Sequence, residues 1–143
     1  MVRLFSKLAI SRKKRDNLSS ALSYVSTLNC STEERPWGTF TVLEEGDCYK
    51  VKRFIVLPRC RLSLQYHNKR SEHWTIVAGK ALVTRDADVF QAQAGQTVFI
   101  PIKAIHRIEN IGIEPVVVIE VQYGSYVGED DIVRLEDDYN RAT

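Results

Sequence analysis

Two segments of the chain place metal-binding side chains at usable spacing. In PRCRLSLQYHNKRSEHWTIVAGK the candidates are Gln65, His67 and Glu72; in GQTVFIPIKAIHRIEN the candidate is His106. Two imidazoles, one carboxylate and one amide oxygen suffice to bind one divalent metal. Around Gln65 the sequence alternates Leu62, Leu64 and Tyr66 with Ser63, Gln65 and His67, so a strand there sends Gln65 and His67 to one face. The polar stretch 68–71 reads as a turn, and Glu72 opens a second apolar run that ends at Gly79. A hairpin over these residues brings Glu72 back beside His67, giving three ligands from one hairpin. In the second segment, Gly95, an apolar run, Pro101, His106 and Asn110 read as turn, strand, turn, strand, with His106 beginning the last strand.

The elements that must position these groups are strands. From Trp37 onward the chain consists of short runs rich in Val, Ile, Thr, Tyr and Phe, cut by Gly46, Pro58, Gly79, Gly95, Pro101, Gly112 and Pro115, as in a β-sandwich or small barrel. The expected fold class is all-β with a short N-terminal helical arm. Leu18, Ala21, Leu22, Val25 and Leu28 recur at helical spacing over 16–29, and Asp16 is placed to cap that helix. We divide the chain into a basic arm, 1–33, and a single domain, 34–143; 143 residues at 44% hydrophobic content can bury one sizeable core.

Charge and cysteine content narrow the function classes. The arm sets Arg3, Lys7, Arg12, Lys13, Lys14 and Arg15 against Asp16 and Glu33, so the remainder of a chain of net charge +2 is slightly acidic, which argues against nucleic-acid binding. Cys30, Cys48 and Cys60 are an odd number without CxxC spacing, which fits a reducing, cytoplasmic setting better than a disulfide framework. No apolar stretch approaches the length of a membrane span.

The two metal-binding segments resemble the paired motifs of the cupin superfamily, with Gln65 where many cupins carry a first His and Lys103 where the second motif usually has Gly. More narrowly, RPWGTF, YKVKR, LSLQYH, EHW, HRIEN, IEVQ and GEDDIVRLEDDY resemble the C-terminal mannose-6-phosphate isomerase domain of bifunctional bacterial isomerase and mannose-1-phosphate guanylyltransferase enzymes. Ser63, Gln65 and His67 are also similar to the Ser-x-Gln-x-His of the separate zinc phosphomannose isomerases. The resemblance implies a cupin fold, a double-stranded β-helix of jelly-roll type. It implies a metal-dependent conversion of mannose 6-phosphate to fructose 6-phosphate that feeds GDP-mannose and polysaccharide synthesis. It further implies one divalent metal, zinc first with Co, Mn, Fe or Ni as alternatives, a phosphorylated hexose substrate and a homodimer. Nothing in the sequence matches the Gly-rich nucleotide loop of the guanylyltransferase half, so isomerisation without nucleotide-sugar synthesis is expected.

Roles follow for the remaining polar residues. Arg70, two positions before Glu72, stands where the single-function isomerases carry a Lys and is assigned to polarisation or proton transfer. Glu120 and Gln122 share one face of the apolar strand 116–123; a carboxylate ending such a run needs a partner or a purpose, and Glu120 is the favoured general base. Substrate binding is assigned to Ser63, Arg61, Arg107 and Gln122, with the two arginines as phosphate candidates. His73 is expected to turn away from the metal, Trp74 to serve as core or pocket wall, Lys52 and Arg53 to be surface residues or ion-pair partners, and the acidic runs 129–131 and 136–138 to be solvated. Three departures from the family stand out: Asn68 and Lys69 replace two His residues, Arg59 replaces the Gly of Pro-Gly, and Lys103 replaces a turn Gly, a costly change where φ is positive. The alternative readings are a non-catalytic sugar-phosphate-binding cupin and another cupin enzyme.

Overall fold

Period-2 alternation from Trp37 onward resolves into strands whose inward residues change character along their length. The structure is a computed structural model and describes residues 31–141; the expected helix at 16–29 lies outside them. Among the described residues eleven strands run in the order β1 (Ser31–Arg35), β2 (Gly38–Glu45), β3 (Tyr49–Val56), β4 (Leu64–Tyr66), β5 (Arg70–Ala78), β6 (Lys80–Arg85), β7 (Asp88–Gln93), β8 (Thr97–Ile100), β9 (His106–Asn110), β10 (Val116–Gly124) and β11 (Val133–Glu136). They form two antiparallel sheets, six-stranded β1-β2-β3-β10-β5-β8 and five-stranded β11-β4-β9-β6-β7. β1 belongs to the first sheet and crosses the expected arm boundary at 33/34.

Between the sheets lies an apolar core that includes Trp37, Phe54, Val56, Trp74, Ile76, Val83, Ile100, Ile108, Val116 and Val118. Phe54 meets Trp37 and Trp74 edge-on, at ring-centroid distances of 6.4 and 6.0 Å, a favoured aromatic geometry. Along three neighbouring strands the buried residues then turn polar. On β3, Val56 and Phe54 give way to Lys52 and Lys50; on β10, Val116 and Val118 to Glu120 and Gln122; on β5, Ile76 and Trp74 to Glu72 and Arg70. One end of the sandwich is therefore sealed by apolar packing, and the other presents a polar interior. Pleating and register build the polar end in rows: Lys52, Glu120 and Trp74 pair across β3, β10 and β5, and Lys50, Gln122 and Glu72 form the next row. On the facing sheet Arg134, Gln65 and His106 pair across β11, β4 and β9.

The expected hairpin over Gln65 to Glu72 is not a hairpin. β4 belongs to the five-stranded sheet and β5 to the six-stranded one, so the chain turns a corner between sheets at 67–69. A hairpin would have set the ligand candidates side by side on one wall; the corner lets them converge from two walls. Close backbone approach at this corner requires Gly124 opposite it, where a Cβ would lie 2.1 Å from the Lys69 carbonyl oxygen.

Candidate metal centre

His67, Glu72 and His106 meet at the inner end of the polar interior, all buried, with their ligand atoms within 4.8 Å of one another. His67 Nε2 lies 2.9 Å from Glu72 Oε1 and His106 Nε2 lies 3.6 Å from Glu72 Oε2. Backbone carbonyls fix both imidazoles. His67 Nδ1 is 2.7 Å from the Asp131 oxygen and His106 Nδ1 is 2.9 Å from the Ala104 oxygen. A carbonyl can only accept, so each Nδ1 carries the proton and each Nε2 presents a lone pair to the carboxylate. His106 Nε2 has no hydrogen-bond partner among the described residues. Arg70 meets Glu72 and His67 from one side, but the His106 lone pair stays unmatched, and this donor set of two neutral imidazoles and one carboxylate fits a divalent metal.

Electrostatics agree with that arrangement. Burial pushes the Glu72 carboxyl up, but a hydrogen bond from His67 and the charges of His67 and His106 when these imidazoles are protonated, with the Arg70 guanidinium, outweigh it and hold Glu72 well below the usual carboxylate range; with both imidazoles neutral, a bound cation would take the place of their charge. Burial likewise lowers the His106 imidazole, favouring its neutral, ligating form. Glu120 moves the other way: burial first, then the charge of Glu72, push its carboxyl well above the ordinary value. Two neighbouring carboxylates held at opposite ends of their range give one anionic ligand and one group with raised proton affinity.

Every metal-ligand candidate reaches this region. Gln65 lines the same cavity as Glu72 and pairs with His106 across the strands, and its Oε1 accepts a 2.6 Å hydrogen bond from Ser63, so its amide oxygen is available as a fourth ligand beside the two imidazoles and the carboxylate. Arg70 is buried; its Nε donates to Glu72 Oε1 at 3.2 Å, its NH2 reaches His67 Nε2 at 3.4 Å, and its NH1 donates to the Gly128 oxygen at 2.8 Å. Trp74 Nε1 donates to both Glu72 Oε2, at 3.1 Å, and Glu120 Oε1, at 3.0 Å. Gln122 Nε2 donates to Glu120 Oε2 at 3.0 Å and approaches Glu72 Oε1 at 3.3 Å. The cavity, about 120 Å³, is lined by Ser63, Gln65, Arg70, Glu72, Glu120 and Gln122, with Arg35, Lys52, Glu129, Arg134 and Arg141 further round its wall.

The two phosphate candidates are not brought to the cavity. Arg61 is not part of the cavity lining; its guanidinium is held by Asp138, at 2.7 and 2.9 Å. Arg107 points away from His106, as alternation requires, and binds the Leu62 oxygen and Glu136. His73 turns away as expected and stacks on Phe99 with centroids 4.6 Å apart. Lys52 takes the ion-pair form of its expectation, and the solvated reading of Asp131 needs correcting. Lys52 is buried in the cavity wall against Glu129, because its register position faces inward beside Glu120. Asp131 is buried and takes hydrogen bonds from the backbone N–H groups of Asn68 and Lys69, at 3.1 and 2.9 Å, while its carbonyl holds His67. The side chains of Asn68 and Lys69 are exposed, so the missing imidazoles at these positions leave the buried cluster intact.

The chain matches the family described as mannose-6-phosphate isomerase C-terminal over residues 26–137. It is 44% identical over 138 residues to the alginate biosynthesis protein AlgA of Pseudomonas fluorescens, covering 90% of this chain and 29% of that one. It is 47% identical over 108 residues to the mannose-1-phosphate guanylyltransferase of Escherichia coli K12, covering 76% and 23%. The chain thus spans less than a third of the length of these relatives. Among solved structures, the manganese(II)-containing oxalate decarboxylase of Bacillus subtilis superposes with a TM-score of 0.64 at 24% identity, over 73% of this chain and 30% of that one, which shows a shared cupin fold. No helix among the described residues is long and apolar enough to cross a membrane. Sequence, fold and the two-sheet polar cavity together make this chain a member of the mannose-6-phosphate isomerase C-terminal family, built as a cupin.

Proposed function

We propose that this domain interconverts mannose 6-phosphate and fructose 6-phosphate with one divalent metal, zinc in the first instance, and that its product serves the synthesis of activated mannose for polysaccharide. The observation that carries the reading is the pairing of a ligating cluster, His67, Glu72 and His106, with a second buried carboxylate, Glu120, across one cavity in a domain of this family. A divalent cation bound there supplies Lewis-acid stabilisation of negative charge on the oxygens at carbons 1 and 2.

The remaining work falls to side chains. Glu120, with raised proton affinity, takes the proton from one carbon and returns it to the other. Trp74 and Gln122 fix its two oxygens, so the carboxylate meets the substrate without reorienting. Arg70 places a guanidinium beside Glu72 and offsets charge developing on the substrate. Ser63 orients the Gln65 amide.

The test is solvent-deuterium exchange at carbon 2 of mannose 6-phosphate, together with coupled detection of fructose 6-phosphate, on metal-loaded protein. Exchange that is lost with chelator and restored by metal supports the reading. A fully metallated protein that gives neither exchange nor product leaves a sugar-phosphate-binding cupin in its place.

A further inference from the structure

The cavity wall carries a guanidinium that no described residue pairs with directly, the carboxylates of Asp137 and Glu129 acting on it only at a distance. Arg35 is held by Glu33 at 2.5 Å, Lys52 by Glu129, Arg70 by Glu72, and Arg141 by both oxygens of Asp137 at 2.6 and 2.9 Å. Arg134 lines the same cavity with no hydrogen bond or ion pair to any described residue, and its Nε is shut off from solvent without an acceptor. Leaving a guanidinium N–H half-buried and unmatched is costly, and such groups are retained where a ligand supplies the acceptor.

Its position is set by register. Arg134 pairs with Gln65 and Gln65 pairs with His106, so the three share one inward-facing row of the five-stranded sheet. Two strand spacings, about 10 Å, separate the backbones of Arg134 and His106. A sugar whose first two carbons lie at the His67, Glu72 and His106 cluster extends its far end along this row toward β11. We infer that Arg134, flanked by Arg141 and Arg35, is the residue that recognises the phosphate of a phosphorylated hexose in this cavity; the inference rests on the isomerase reading for the direction in which the sugar lies. Planar forks match phosphate oxygens in bidentate fashion, which a Lys does not reproduce. Burial and then the neighbouring positive charge of Arg141 lower the proton affinity of Arg134, the surroundings a dianion would relieve.

Calorimetric titration of metal-loaded protein with mannose 6-phosphate, unphosphorylated mannose and inorganic phosphate tests the assignment. Arg134→Gln, at unchanged metal content and circular dichroism, weakens mannose 6-phosphate and inorganic phosphate by about 10- to 100-fold and leaves mannose unaffected. Arg61→Gln, which removes a cation outside the cavity, changes none of the three. If Arg134→Gln does not fold, Arg134→Lys keeps the charge and loses the fork, and it must still weaken phosphate binding several-fold. Unchanged binding in a folded Arg134 variant, or an equal loss in Arg61→Gln, overturns the assignment. Carbon-2 exchange separates the two levels: Arg134-dependent binding without exchange in the wild type removes the isomerase reading and keeps the subsite, whereas exchange at unchanged KM in Arg134→Gln removes the subsite and keeps the isomerase.

Discussion

Replacing Glu120 by Gln separates proton transfer from everything else its carboxylate does. The side chain is buried, and its oxygens accept from Trp74 Nε1 and Gln122 Nε2, both at 3.0 Å. An amide keeps the size and one acceptor, so the Trp74 bond survives. The other contact becomes amide against amide, but Gln122 Oε1 is buried without a partner and can accept once that side chain turns over. The cost is about one weakened hydrogen bond, 0.5–1.5 kcal/mol. Removing a carboxylate that faces Glu72 in a buried site acts in the opposite sense. Net stability should therefore change by about 1 kcal/mol or less, and metal content should not change. Turnover should fall by about 100-fold or more, since a general base contributes roughly 10²- to 10⁴-fold. The assay is coupled isomerisation in parallel with calorimetric binding of mannose 6-phosphate. Turnover within about threefold of wild type at full metal content would refute Glu120 as the base.

Further outcomes follow from other contacts. Lys103 has φ 66° and its N–H donates to the His67 oxygen at 2.8 Å, so Lys103→Gly relieves a left-handed side chain and should gain about 1 kcal/mol in thermal or urea unfolding; a loss of stability would count against strain there. Asp131→Ala leaves the Asn68 and Lys69 N–H groups without their carboxylate and should cost about 2 kcal/mol, with metal affinity falling roughly 10- to 100-fold because the His67 loop loosens. Metal affinity equal to wild type would show that Asp131 does not position His67. The hydrogen bonds from Arg141 lower the Asp137 carboxyl to about 2 from 3.8, against a smaller opposing effect of burial. Its contribution to stability is therefore complete above pH 3.8 and is lost as pH falls through about 2. The difference in unfolding free energy between wild type and Asp137→Asn should close over that window, and a constant difference down to pH 2 would contradict it.

The fold and the inner cluster were legible because both rest on periodicity. Alternation at 62–67 fixed the common face of Gln65 and His67, and the break at Pro101 fixed His106 at the start of β9. Positive φ at Arg59 and Lys103, 64° and 66°, bears out the reading of both as glycine-like turn positions. What periodicity does not carry is which sheet a strand joins. A hairpin and a sheet-to-sheet corner share the same local pattern, so the separation of β4 from β5 was not readable, nor was the placement of Arg61 outside the cavity. Asp131 and Arg134 were missed for a related reason. They lie in an acidic, low-hydropathy tail that looks solvated, and only pairing of β11 with β4 carries that tail across the cavity. A signal was present: Val133 and Leu135 alternate with Arg134 and Glu136, enough to suspect a short strand with one charged face.

The central claim is that His67, Glu72 and His106, aided by Gln65, hold a divalent metal, and elemental analysis of purified protein tests it most directly. After loading and desalting, the wild type should retain about one divalent ion per chain, while the His67→Ala, His106→Ala double variant, folded by circular dichroism, should retain almost none. Equal metal content in the two proteins would contradict the claim.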